Sequence, residues 1–178
     1  AASWVKMIFT GTSVAVTLAN HHAYWTNEMG YLLDGVQGRI RLLNDGKKKT
    51  YEIAEQLPDA RHELMLFKRM DACHTVTFYG FTVDDGADLL PPEPKPARRM
   101  EVFGDSVSCG EVSEAVDYVG KEDPVHDGQY SNSWYSYAWM TARKLGAELH
   151  DTSQGGIALL DGTGSVSYTH LRAHETLR

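Results

Sequence analysis

Met100-Glu-Val-Phe-Gly-Asp-Ser-Val-Ser-Cys-Gly110 is the stretch on which the reading of this chain turns. Met100 to Phe103 is a short apolar run that predicts a strand. Gly104 ends it, and Asp105-Ser106 follows where the strand gives way to a loop, with Gly110 permitting the next turn. Open α/β sheets place reactive groups at the carboxyl ends of their strands. Loop N–H groups there can also face a developing oxyanion. Ser106 is therefore a candidate acyl-transfer nucleophile. The same Asp-Ser pair also fits a helix cap, and from these residues alone both readings stand.

On either side of this stretch the composition changes. Leu89-Leu-Pro-Pro-Glu-Pro-Lys-Pro-Ala-Arg-Arg99 holds most of the prolines and reads as an extended, semi-rigid connector. Ahead of it the chain reads as all-β. In Val14-Ala-Val-Thr-Leu18, Val14, Val16 and Leu18 fall on one face and Ala15 and Thr17 on the other. Val5 to Phe9, Tyr31 to Leu33, Arg39 to Leu43, Thr50 to Ile53, His62 to Arg69 and Thr75 to Val83 continue the pattern. Asp34-Gly35 and Asn44-Asp-Gly46 supply turns between them. Short strands at this spacing predict a β-sandwich. After the connector, Asn132 is positioned to cap a helix running to about Leu145. Tyr135, Ala138, Trp139 and Ala142 lie on its core face, broadened by Trp134 and Leu145, and Gly146 stops it. Ala147 to His150 reads as a second strand, so strand, helix and strand form a βαβ unit.

The chain has 178 residues, 42% hydrophobic and 23% charged, with a net charge of −7. An acidic chain without clustered Lys and Arg argues against a nucleic-acid partner. No apolar run approaches the ~20 residues that span a membrane. Cys73 and Cys109 give no disulfide framework, and Cys109 reads as a buried packing residue. His21 and His22 are adjacent, point to opposite faces of any strand and make a poor metal site.

Glu101-Val-Phe-Gly-Asp-Ser-Val-Ser-Cys-Gly110 resembles the first signature block of GDSL (SGNH) hydrolases. More narrowly, the chain resembles carbohydrate esterase family 2, the two-domain acetyl esterases. The likeness is carried by that block and three further stretches. These are Phe9-Thr-Gly-Thr-Ser-Val-Ala-Val-Thr-Leu18, Val76-Thr-Phe-Tyr-Gly-Phe-Thr-Val-Asp-Asp-Gly-Ala-Asp-Leu-Leu90 and Ser153-Gln-Gly-Gly-Ile-Ala-Leu-Leu-Asp-Gly-Thr-Gly164.

The resemblance implies an N-terminal all-β, jelly-roll-like sandwich over residues 1–88 and a linker over 89–99. The start of an α/β SGNH-hydrolase domain, flavodoxin-like and three-layered, would follow over 100–164. It implies that Ser106 is the nucleophile and that the backbone N–H groups of Ser106 and Gly156 form the oxyanion hole, with Gly155 close behind Gly156. Asp105 is expected to brace the loop. The chemistry calls for no metal and no organic cofactor. The implied substrate is an acetylated carbohydrate, with no nucleic-acid or membrane partner, and the oligomeric state stays open. The site of action would be extracellular on polymeric xylan and cytoplasmic on oligosaccharides.

A serine hydroxyl needs a base. In the family this is a histidine in an Asp-x-x-His block near the end of the domain, and no such block stands there in this chain. Asp123-Pro-Val-His126 has the spacing but follows the nucleophile too closely and reads as a loop. His150 reads as a structural residue. The family's third oxyanion donor, an asparagine in a Gly-x-Asn-Asp type block, has no counterpart. Val166-Ser-Tyr-Thr-His-Leu-Arg-Ala-His-Glu-Thr176 departs from the family and resembles a translated sequencing adapter. Residues 165–178 are therefore expected to be non-native, His170 and His174 are set aside as bases, and the hydrolase domain is expected to be truncated and inactive as it stands. The alternative reading is a non-catalytic carbohydrate-binding sandwich attached to a decayed hydrolase remnant.

Overall fold

Period-two alternation builds the first half of the molecule. The computed structural model describes residues 1–158. One compact unit comprises Trp4–Phe67 and His74–Pro94, and among the described residues the other comprises Ala1–Ser3, Lys68–Cys73 and 95–158.

The first unit is formed by β1 (Trp4–Phe9), β2 (Val14–His21), β3 (Glu28–Leu33), β4 (Val36–Arg41), β5 (Lys49–Ala54), β6 (His62–Lys68), β7 (Thr75–Val83) and β8 (Leu89–Leu90). They make a five-stranded sheet in the order β4-β3-β6-β1-β8 and a three-stranded sheet in the order β5-β2-β7. Val14, Val16 and Leu18 of β2 are buried, as their alternation predicts. Val16 and Leu18 from the small sheet meet Met29, Ile40 and Leu66 from the large one, so the core lies between two facing sheets. Each such side chain contributes about 1.5–3 kcal/mol by leaving water. Asp34-Gly35 joins β3 to β4 with φ of +51° and +81°, the conformation a two-residue type I′ hairpin requires.

Leu89 and Leu90 pair with Phe9 and Ile8 of β1. The two leucines that begin the proline-rich stretch therefore complete the large sheet.

The second unit contains β9 (Arg98–Val102), the short helix α1 (Ser106–Cys109), α2 (Tyr137–Leu145) and β10 (Ala147–Asp151). β9 and β10 are parallel, with Arg98 opposite Ala147 and Val102 opposite Asp151, and α2 packs against β10. The strand before Ser106 thus begins two residues earlier than its apolar run and ends before Phe103. Backbone pairing with β10 recruits the arginines despite their charge.

The expected single helix from Asn132 is divided. Asn132 caps only a 3-10 turn, Ser133–Tyr135, its side chain accepting from the Trp134 N–H at 3.1 Å. Ser136 then takes an extended ψ of 150° and caps α2, its Oγ accepting from the Trp139 N–H at 3.2 Å. Ala138, Trp139 and Ala142 form the buried face of α2. Tyr135 lies outside that helix and is exposed, as is Leu145, so neither belongs to the expected core stripe. Gly146 ends α2 at φ +59°. Among the described residues no helix is long and apolar enough to cross a membrane.

Candidate active site

The loop bearing Ser106 is held by its neighbours on both sides. Asp105 caps α1, its Oδ1 accepting from the Val107 N–H at 3.0 Å. Ser106 is the first residue of α1 and is half-buried. A Cβ at Gly104 would lie 1.9 Å from Ser108 Oγ, so only glycine lets the strand end close onto Ser108. The hydroxyl of Ser108 is in turn 2.7 Å from that of Tyr137 at the start of α2. Gly110 ends α1 at φ +79°, and a Cβ there would meet the Asn132 carbonyl oxygen at 2.5 Å. That close approach lets the Asn132 N–H reach the Gly110 carbonyl at 2.9 Å.

A second segment arrives at the same strand ends. After β10, the Thr152 N–H donates to the Val102 carbonyl at 2.8 Å, and the Gln154 N–H to the Gly104 carbonyl at 3.2 Å. Ser153 Oγ donates to the buried carboxylate of Asp151. Burial pushes the Asp151 carboxyl above its ordinary range, and this hydrogen bond opposes the push. The turn then closes with the Ile157 N–H on the Gln154 carbonyl at 3.4 Å, and Gly156 sits at φ +74°. The loop of Ser106 and the turn of Gly155 and Gly156 therefore lie side by side, one on each parallel strand. A charged surround accompanies them. Burial, then the carboxylate of Asp71, push Glu111 upward, while His126 opposes.

The other candidates have partners of their own. His150 Nδ1 is 3.2 Å from Glu101 Oε1, its register partner across β9, on an exposed face. His126 Nδ1 accepts from the Gly128 N–H at 3.3 Å and its ring meets that of Tyr130. Cys109 is buried, and burial drives its thiol far above the ordinary range. Among the described residues no three His, Cys, Asp or Glu side chains gather as metal ligands. Residues 159–164 of the second glycine-bearing stretch and the tail from 165, with His170 and His174, lie outside the described residues.

Two contributors gave no local signal. Lys68–Cys73, between two sandwich strands in the sequence, belongs to the second unit. There the Arg69 guanidinium, 2% exposed, lies 2.6 Å from Glu114 Oε2. Glu114 Oε1 accepts from Asn132 Nδ2 at 2.6 Å. The Ser133 N–H donates to the Arg69 carbonyl at 2.9 Å. Asp71 accepts from the Gly155 N–H at 3.0 Å.

A profile described as carbohydrate esterase 2 N-terminal matches residues 1–93. The chain belongs to carbohydrate esterase family 2. This family 2 chain is 30% identical over 163 residues to the cellulase/esterase CelE of Acetivibrio thermocellus, covering 91% of the chain and 19% of that protein. It is 32% identical over 117 residues to an acetylxylan esterase / glucomannan deacetylase of Cellvibrio japonicus, covering 65% of the chain and 31% of that protein. Among solved structures it matches a family two carbohydrate esterase from Clostridium thermocellum in complex with cellohexaose. That match has a TM-score of 0.77 and 29% identity, covering 89% of this chain and 46% of that one. The family 2 chain thus spans under a third of the two curated relatives and less than half of the solved one. Its architecture is a jelly-roll-like β-sandwich followed by the start of an α/β SGNH-type domain.

Proposed function

We propose that the protein to which this chain belongs is a carbohydrate O-acetyl esterase acting on acetylated sugars or xylan-type polysaccharide. One observation carries the reading: the Ser106 loop and the glycine turn meet at the carboxyl ends of two paired parallel strands, joined by the Gln154 N–H to Gly104 carbonyl bond of 3.2 Å. The names of the curated relatives, an esterase and an acetylxylan esterase / glucomannan deacetylase, support the same chemistry.

In this mechanism Ser106 Oγ attacks the acetyl carbonyl while a histidine base takes its proton. The backbone N–H groups of Ser106 and Gly156 face the oxygen as it becomes negative. The tetrahedral intermediate collapses, the C–O bond to the sugar breaks, and the base returns the proton to the sugar hydroxyl. Water then attacks the acetyl-serine and releases acetate. No step calls for a metal or an organic cofactor. The family draws its base from a histidine in an Asp-x-x-His block near the end of the domain, and with His170 and His174 set aside as non-native this chain carries no such block there. The 178-residue chain is therefore inactive or nearly so.

The test is hydrolysis of para-nitrophenyl acetate by the longer gene product and by its Ser106→Ala variant. Turnover that disappears in the variant supports the reading, and turnover that survives it overturns the assignment. A second reading is non-catalytic carbohydrate binding. It is favoured by the solved relative's complex with cellohexaose, a glucan that carries no acetyl group. Soluble xylan bound by the chain, with no turnover in the longer product, would select it.

A further inference from the structure

Asp71 sits in the Lys68–Cys73 segment, 84 residues from the turn it touches. It is 5% exposed. Its Oδ1 accepts from the Cys73 N–H at 3.0 Å, which orients the carboxylate locally. Its Oδ2 accepts from the Gly155 N–H, also at 3.0 Å. A carboxylate bonded to a backbone N–H in a buried setting is a strong, directional contact.

The consequence lies in the geometry of the turn from Gln154 to Ile157. Gly155 and Gly156 are its two central residues, and the Ile157 N–H closes it on the Gln154 carbonyl. The peptide joining Gln154 to Gly155 is thus held at both ends, its N–H by Asp71 and its carbonyl by Ile157. Gly156, at φ +74°, has the conformation of the second central residue in a type II turn. Types I and II differ mainly by a flip of the central peptide, which carries the N–H of Gly156. That flip leaves the Gln154–Gly155 peptide where it is, so the bond to Asp71 fixes where the turn stands, and the Gly156 N–H projects from that fixed place.

We propose that Asp71 is a positioning residue that fixes the place of this turn, from which the Gly156 N–H projects. The inference rests on the esterase reading for its catalytic consequence, since Gly156 is there an oxyanion donor. The hydrolase unit accordingly depends on a loop encoded between two sandwich strands, and a chain begun at the proline-rich connector lacks this anchor.

Asp71→Ala and Asp71→Asn test it, because alanine removes both acceptors and asparagine keeps one oxygen for the two N–H groups of Cys73 and Gly155. Amide hydrogen exchange is followed at Gly155 in the 178-residue chain. It accelerates at least ~10-fold in Asp71→Ala and by less in Asp71→Asn. In the longer gene product, Asp71→Ala lowers kcat on para-nitrophenyl acetate by roughly 10- to 100-fold with KM within about two-fold, and Asp71→Asn lowers it less. Wild-type exchange at Gly155 in Asp71→Ala overturns the proposal. So does an unchanged kcat beside a lowered Tm, which would make Asp71 a structural tether alone. Turnover that persists in Ser106→Ala would instead defeat the esterase reading, and the exchange data would still decide whether Asp71 holds the turn.

Discussion

His62 Nδ1 lies 2.6 Å from Asp34 Oδ2, and the other ring nitrogen of His62 lies 2.8 Å from the Pro58 carbonyl oxygen. Both partners are acceptors, so the two contacts favour the doubly protonated ring. The bond to Asp34, then that to Pro58, raise the His62 pKa above its ordinary 6.5, against the opposing effect of burial. For Asp34, burial acts upward, but the Glu63 N–H and the His62 ring outweigh it and hold the carboxyl below its ordinary 3.8. The raised histidine adds stability that is complete below about pH 6.5 and is lost as pH rises through its folded value. The lowered aspartate adds stability present above about pH 4 and lost as pH falls through its folded value. Thermal melting should therefore be highest between roughly pH 4 and 6.5 and decline toward pH 8. Asp34→Asn should shift that decline to lower pH. Melting curves of both proteins across pH check this, and parallel profiles would refute it.

Gly104→Ala should destabilise the second unit by about 1–3 kcal/mol, because the new methyl has no room beside Ser108. Ser108→Gly in the same chain should recover part of the loss, less the bond from Ser108 to Tyr137. Urea denaturation of the single and double variants measures both effects.

Glu114→Ala removes the carboxylate that neutralises a buried guanidinium and receives Asn132 Nδ2. Breaking such a pair costs about 3–5 kcal/mol. Arg69→Met combined with Glu114→Leu should cost less than Glu114→Ala alone, since no buried charge is left behind. Chemical denaturation of the three proteins gives the comparison.

The division of the expected helix can be tested directly. Ser136→Ala should cost about 1 kcal/mol, as loss of a helix cap does. Asn132→Ala should cost more, because that side chain also bonds Glu114. Equal losses would mean that the bond from Asn132 to Glu114 adds nothing to stability.

Much of the fold was legible in short stretches. The alternation of Val14, Val16 and Leu18 depends on a two-residue period, and the Asp34-Gly35 hairpin on backbone angles those two residues tolerate. Strand, glycine, Asp-Ser and a second glycine marked the Ser106 loop for the same local reason. The helix start was misplaced because Asn132 and Ser136 are both competent caps. Both are used, Asn132 for the 3-10 turn and Ser136 for α2, and Asn132 also bonds Glu114.

By itself, then, the sequence determined the strands, the turns and the serine-bearing loop, since each is governed by neighbours a few residues apart. Only the tertiary structure decided that Lys68–Cys73 belongs with the α/β unit, that Arg69 is paired with Glu114, and that Asp71 grips the turn at Gly155. Those contacts join residues tens of positions apart. A hydrogen bond of that reach leaves no periodicity or turn signature in either segment, and it forms only where the fold brings the two segments together.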